Sequence, residues 1–141
     1  MNLALPIRRK GSTLNLTRPQ SRLLALPLPS LIGERLQLRG PTPADAPAMQ
    51  GHIADRRLAE GTRSIPHPAP EDAAAAFIAA SLSPARDEDV WVIEDRATAR
   101  LCGVISLKPL DRAQGQIGYW VAPGQWNSGI ASEAVRLIVA A

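Results

Sequence analysis

Apolar residues fall along this chain in two rhythms. At residues 35–39 they alternate, Leu36 and Leu38 flanking Gln37, which predicts a half-buried strand ended by Gly40 and Pro41. Thr42 then reads as an N-cap, Pro43 as a first-turn residue and Asp45 as an acid near a helix's positive end, predicting a helix to about Ile53. A second helix is predicted from Glu71 to about Leu82, with Ala76, Phe77, Ala80 and Leu82 available for packing. Between them Pro66, Pro68 and Pro70 impose an irregular loop on residues 63–70. The β-rich runs 89–94 and 101–107, joined by polar residues 95–100, predict an antiparallel hairpin or meander. A further strand is predicted at 116–121, where Ile117, Tyr119 and Val121 alternate with Gln116, Gly118 and Trp120 until Pro123 and Gly124 stop it. From Ile130 onward Ala131, Ala134, Val135, Leu137, Ile138 and Ala141 form one helical stripe, so a helix begins near Ser128.

Strand, helix, helix, three strands and a helix in that order predict one α/β (α+β) domain, a mixed and mostly antiparallel sheet covered by helices. Residues 1–33 break the pattern. They are rich in Leu, Pro, Arg and Ser, and Pro27 and Pro29 interrupt what would otherwise be an apolar run. This segment is expected to be a flexible basic extension, with a tail from upstream of the native start and a weak targeting or docking segment also open. It holds five basic residues and no acid, which leaves 11 basic against 13 acidic residues in the body of the chain. The chain's net charge of +3 therefore does not describe the domain, and without interleaved aromatics no nucleic-acid partner is expected. No apolar run is long enough to cross a membrane. The single cysteine, Cys102, excludes an internal disulfide, fits a reducing cytoplasm, and reads as strand packing rather than a nucleophile.

Candidate chemistry collects at the junction of the last strand and helix. The first N–H groups of a helix lack partners, its dipole is positive there, and Gly129 lets a bulky anion approach the backbone. Neither a Walker-type Gly-x-x-x-x-Gly-Lys run nor Gly-x-Gly-x-x-Gly is present, so a phosphorylated ligand other than a nucleoside triphosphate or dinucleotide is indicated.

Gly-Tyr-Trp-Val-x-Pro followed by Trp-Asn-x-Gly-Ile-Ala-x-Glu-Ala resembles the acetyl-CoA-binding motif of the GNAT superfamily of N-acetyltransferases, in the form used by its ribosomal-protein and small-amine subgroup. The Glu-Arg-Leu-x-Leu-Arg opening at Glu34 is similar to the same subgroup, so the resemblance covers most of residues 34–141. It implies acetyl-CoA as co-substrate, no metal, and direct attack by a primary amine, either a small molecule or a protein N-terminus. Trp126, Asn127, Ser128, Gly129, Ile130 and Ala131 would then hold the pyrophosphate, and the backbone of Trp120, Val121 and Ala122 the pantetheine arm and thioester oxygen. An acyl donor other than acetyl stays open. His67, in the loop that borders the family's acceptor cleft, is a candidate substrate residue.

The catalytic groups are read as Gln116 and Tyr119. Gln116 stands where many members of the family carry a Glu base, and an amide cannot accept a proton at neutral pH. Tyr119 is read equally as strand packing. Glu133 is expected to be structural, with Arg136 as an ion partner worth about 0.3 kcal/mol. A complete domain of this kind continues beyond the helix with further strands and a helix. The chain therefore reads as truncated, with an exposed sheet edge at 116–121 prone to self-association. Those departures motivate an alternative function, a non-catalytic coenzyme A-binding or interaction module.

Overall fold

The computed structural model describes residues 28–61, 68–110 and 114–140, together with the backbone of two short strands nearer the N-terminus. Strands are β1 Leu5–Pro6, β2 Thr13–Asn15, β3 Leu31–Ile32, β4 Leu36–Arg39, β5 Asp89–Asp95, β6 Leu101–Pro109 and β7 Gln114–Val121. Helices are α1 Ala46–Ile53, α2 Arg56–Gly61, α3 Ala73–Ser81 and α4 Ile130–Ala140, with 3-10 turns at Pro43–Asp45 and Pro123–Gln125. The sheet runs β1-β7-β6-β5-β4-β3 with β2 also on β7, and every pairing given for it is antiparallel, in keeping with the mostly antiparallel sheet expected.

Three layers result, because strand alternation sends successive side chains to opposite faces. On one face Val90, Val92, Val104 and Trp120 meet Met49 and Ile53 of α1, Leu58 of α2, and Phe77 and Ile78 of α3. On the other, Leu36, Leu38, Trp91, Ile93, Ile105, Ile117 and Val121 meet Ile130, Ala134 and Ile138 of α4. Helix α2 was not foreseen, because its six residues Arg-Arg-Leu-Ala-Glu-Gly bring only Leu58 and the small Ala59 to the core.

Strand β4 is anchored through Arg39, whose guanidinium donates to both oxygens of Asp45, at 2.8 and 2.9 Å, and to Glu94 Oε2 at 2.8 Å. Asp45 also accepts from the Thr42 N–H at 2.8 Å, so the acid read as a dipole partner additionally ties the helix start to β4 and β5.

Within the segment read as an extension, Leu28 and Leu31 pack on the α4-side core, and Pro29 O accepts from Trp91 Nε1 at 3.1 Å. Leu5 and Pro6 lie opposite Tyr119 and Gly118, and Thr13, Leu14 and Asn15 opposite Gln116, Gly115 and Gln114. This corrects the expectation of a bare edge at 116–121, since β1 and β2 take up backbone there. Trp120 and Val121 lie beyond that register.

Candidate functional site

The site is built where β7 leaves the sheet. Ala122 donates to Cys102 O at 2.7 Å, holding the strand's end against β6, and the Pro123–Gln125 turn closes with Gln125 N to Ala122 O at 2.8 Å. Trp126 folds back so that its indole Nε1 donates to Val121 O at 2.8 Å, while the residue stays half exposed. The indole thereby braces the turn rather than filling the core.

Backbone geometry past Trp126 explains the Asn-x-Gly spacing. Asn127 has φ +62° and Gly129 φ +82°, two left-handed residues separated by Ser128. Asn tolerates that region better than most residues, and Gly adopts it without a Cβ penalty. The Ser128 hydroxyl donates to Gln125 O, closing the loop on itself. Helix α4 starts at Ile130, with Glu133 N bonded to Gly129 O at 3.1 Å. Residues 124–129 are all exposed, so the loop that leads into the helix start, where the first N–H groups lack helical partners, faces solvent.

A cation missed by sequence reasoning completes this corner. A Cβ built on Gly129 would lie 3.2 Å from the Arg35 guanidinium, which places a half-exposed positive charge beside the loop. Arg35 is held there by Glu133, whose carboxylate accepts from Arg35 Nε at 3.2 Å, Arg35 N at 3.1 Å and Leu36 N at 3.0 Å. Burial pushes the Glu133 carboxyl up, but those N–H groups and the guanidinium outweigh it and hold it below its ordinary value. Glu133 is thus structural as expected, but its ion partner is Arg35, 98 residues away, and not the neighbouring Arg136. The available signal was that both motifs, Glu34-Arg35 and Ser132-Glu133, belong to the one resemblance.

On the opposite side of the turn, α1 and residues 99–102 enclose a cleft of about 640 Å³ with Ala122, Pro123, Gly124 and Gln125. His52 lies at its wall, Nε2 3.0 Å from Leu101 O and its ring edge-on to Trp120 at 6.2 Å between centroids. Trp120 Nε1 is buried and has no hydrogen-bond partner among the described residues. A buried donor of this kind calls for an acceptor from a bound molecule or water.

The read catalytic pair is not brought together. Gln116 shares the α1 and α3 face with Gly118 and Trp120, whereas Tyr119 packs on the α4-side core beside Ile117 and Val121. Of the three residues read as holding a pantetheine arm, Ala122 spends its N–H on Cys102 and Val121 its carbonyl on Trp126. By the same alternation the Trp120 backbone, opposite Val104, is turned toward β6, which leaves the Val121 N–H on the other edge of β7. His67 lies outside the described residues. Cys102 is buried, and burial with Asp95 nearby pushes its thiol up, which suits packing. Among the described residues no three His, Cys, Asp or Glu side chains are grouped to hold a metal, and no helix is long and apolar enough to cross a membrane.

A family model described as the acetyltransferase (GNAT) domain matches residues 35–141. No curated protein matches the chain. Among solved structures, an acetyltransferase from Agrobacterium tumefaciens is similar at 23% identity and TM-score 0.60, over 80% of this chain and 66% of that one. A microcin self-immunity acetyltransferase in complex with acetyl-CoA and AMP is similar at 17% identity and TM-score 0.64, over 77% of this chain and 62% of that one. A ribosomal-protein α-N-acetyltransferase in complex with coenzyme A is similar at 15% identity and TM-score 0.65, over 79% and 66%. At these identities the likeness is one of fold. The chain spans just under two thirds of the length of these structures.

Proposed function

The chain belongs to the GNAT acetyltransferase family, and from that membership we propose that it is an N-acetyltransferase domain that binds acetyl-CoA and passes the acetyl group to a primary amine. The observation that carries this is the exposed loop at 126–129 leading into α4, in which Asn127 and Gly129 are left-handed and Arg35 stands at the helix start. Backbone N–H groups and the guanidinium together suit a doubly charged pyrophosphate, and Trp126 holds the loop in shape. The Val121 N–H and the unpartnered Trp120 indole suit the neutral amide-bearing arm that leads from it.

Acetyl-CoA would supply the activated thioester, and the protein would supply position and a polarising N–H for its carbonyl oxygen. Two similar structures are described with acetyl-CoA or coenzyme A, which supports the choice of donor. The acceptor class, small amine or protein N-terminus, is proposed only as far as a primary amine.

A second reading is favoured by Gln116, a neutral amide where a base would be useful: a module that binds the coenzyme without turnover. Release of thiol from acetyl-CoA in the presence of a panel of primary amines separates the two. Saturable binding with no thiol released for any amine selects the second.

A further inference from the structure

An amine attacks only after losing its proton, and Gln116 cannot take it. The same face of the sheet offers another group. Gly118 on β7 pairs with Ser106 on β6, and Ser106 with Val90 on β5, so the three form one row across adjacent strands. Gly118 has no side chain, so Ser106 supplies the polar side chain of that row among the described residues. Adjacent strands lie about 4.8 Å apart, within the span of one bridging water. Ser106 is 2% exposed, and its hydroxyl donates to the carboxylate of Glu88, which precedes β5. Glu88 in turn lines a cleft of about 540 Å³ between the end of α3 and the β5 and β6 termini, open to solvent beside Ser83 and Lys108. Ser106 therefore links the row that holds Gly118 to a carboxylate that lines a solvent-open cleft.

We propose that Glu88, acting through the Ser106 hydroxyl, receives the proton of the attacking amine, the part that Gln116 cannot play. This rests on the reading of the chain as an amine acetyltransferase. The extra proton of the ammonium form passes by way of water and Ser106 to Glu88, which frees the amine to attack. As its nitrogen bonds to the thioester carbonyl carbon and the carbon–sulfur bond breaks, the second proton leaving nitrogen goes by way of water to the departing thiolate of coenzyme A, and Glu88 returns its own proton to solvent through the cleft. Glu88 is a relay group in this scheme and does not touch substrate.

The surroundings of Glu88 set its titration. Burial pushes its carboxyl up and Asp87 adds to that, against the Ser106 hydroxyl and Lys108. The Arg86–Asp89 pair and the Lys108–Asp87 pair lie beside it, while α3 contributes only uncharged Phe77, Ala80 and Ser81. The turnover rate should accordingly fall as pH drops through a value raised above that of an ordinary glutamate, because only the ionised form accepts a proton.

The test is kcat and KM against pH for the full chain and its E88Q, E88A and S106A variants, using acetyl-CoA with glycinamide, spermidine and a free-amine tripeptide. Acetyl-CoA affinity is measured in parallel by calorimetry and folding by thermal melting. The expected result is unchanged acetyl-CoA affinity and amine KM, kcat lower by about 100-fold in E88Q, loss of the acid limb, and partial rescue of E88A by imidazole. S106A should lower kcat in the same sense. Variants that fold and bind acetyl-CoA but keep the wild-type kcat and profile overturn the relay and leave the coenzyme reading standing, as does a wild-type chain that binds without turnover. A wild-type chain that does not bind acetyl-CoA overturns the parent reading and the relay with it.

Discussion

Glu133 on α4 accepts the backbone N–H of Leu36 on β4 at 3.0 Å through the same oxygen that accepts the N–H of Arg35 at 3.1 Å. One carboxylate therefore closes the first strand of the domain onto its last helix, and through Arg35 Nε it also aims a cation at the anion loop. Fold and site share this residue.

Removing the charge should show in both. Glu133→Gln is expected to cost about 1–3 kcal/mol, because two backbone N–H groups lose a charged acceptor at a buried position. The pH dependence follows from the sign of the shift. The folded carboxyl of Glu133 is held below its unfolded value, as is that of Asp45, so their contribution is present above the unfolded value and is lost as pH falls through the folded one. Urea melts from pH 7 down to pH 3 should show stability falling across the acid range, with a shallower fall in Glu133→Gln.

Glycines at two positions should respond in opposite directions. A Cβ at Gly103 would sit 2.2 Å from Trp120 O and 3.0 Å from Val121 Cα, both backbone atoms of the paired strand, so neither can rotate away. Gly103→Ala is expected to cost about 3 kcal/mol, seen as a lower Tm. At Gly51, inside α1, a Cβ meets nothing within 4 Å, and Gly51→Ala should stabilise by roughly 0.5–1 kcal/mol.

In the loop, Gly129→Val combines a left-handed φ of +82° with a β-branched side chain directed at Arg35. It should abolish acetyl-CoA binding, while circular dichroism remains native. Arg35→Ala removes the guanidinium but keeps the backbone N–H bonded to Glu133, and should weaken binding about tenfold, or roughly 1.4 kcal/mol. That loss should shrink as salt rises, since the charge is half exposed.

Much of this was legible from the chain. The strands at 89–95 and 101–109 are continuous β-rich runs, that at 114–121 alternates and the last helix carries a period of 3.6, and their boundaries shift by only one or two residues. The left-handed residues were half legible: Gly129 announces itself, whereas Asn127 does so only in company with it. Contacts between distant segments were not legible. Arg136 lies one helical turn from Glu133 and local spacing selects it, yet tertiary packing delivers Arg35 instead. The strands β1 and β2 were missed because two or three residues make no periodic signal, and their pairing depends on the edge that β7 offers. Ser106 and Glu88 belong to no motif, and only the register of β5, β6 and β7 aligns them with Gly118.

Calorimetric titration of the 141-residue chain with acetyl-CoA, with free coenzyme A alongside and Gly129→Val as control, addresses the central claim most directly. Saturable binding of both ligands that is lost in a folded Gly129→Val variant is the predicted result. A folded wild-type chain that shows no heat of binding, or a variant that binds as the wild type does, would contradict it.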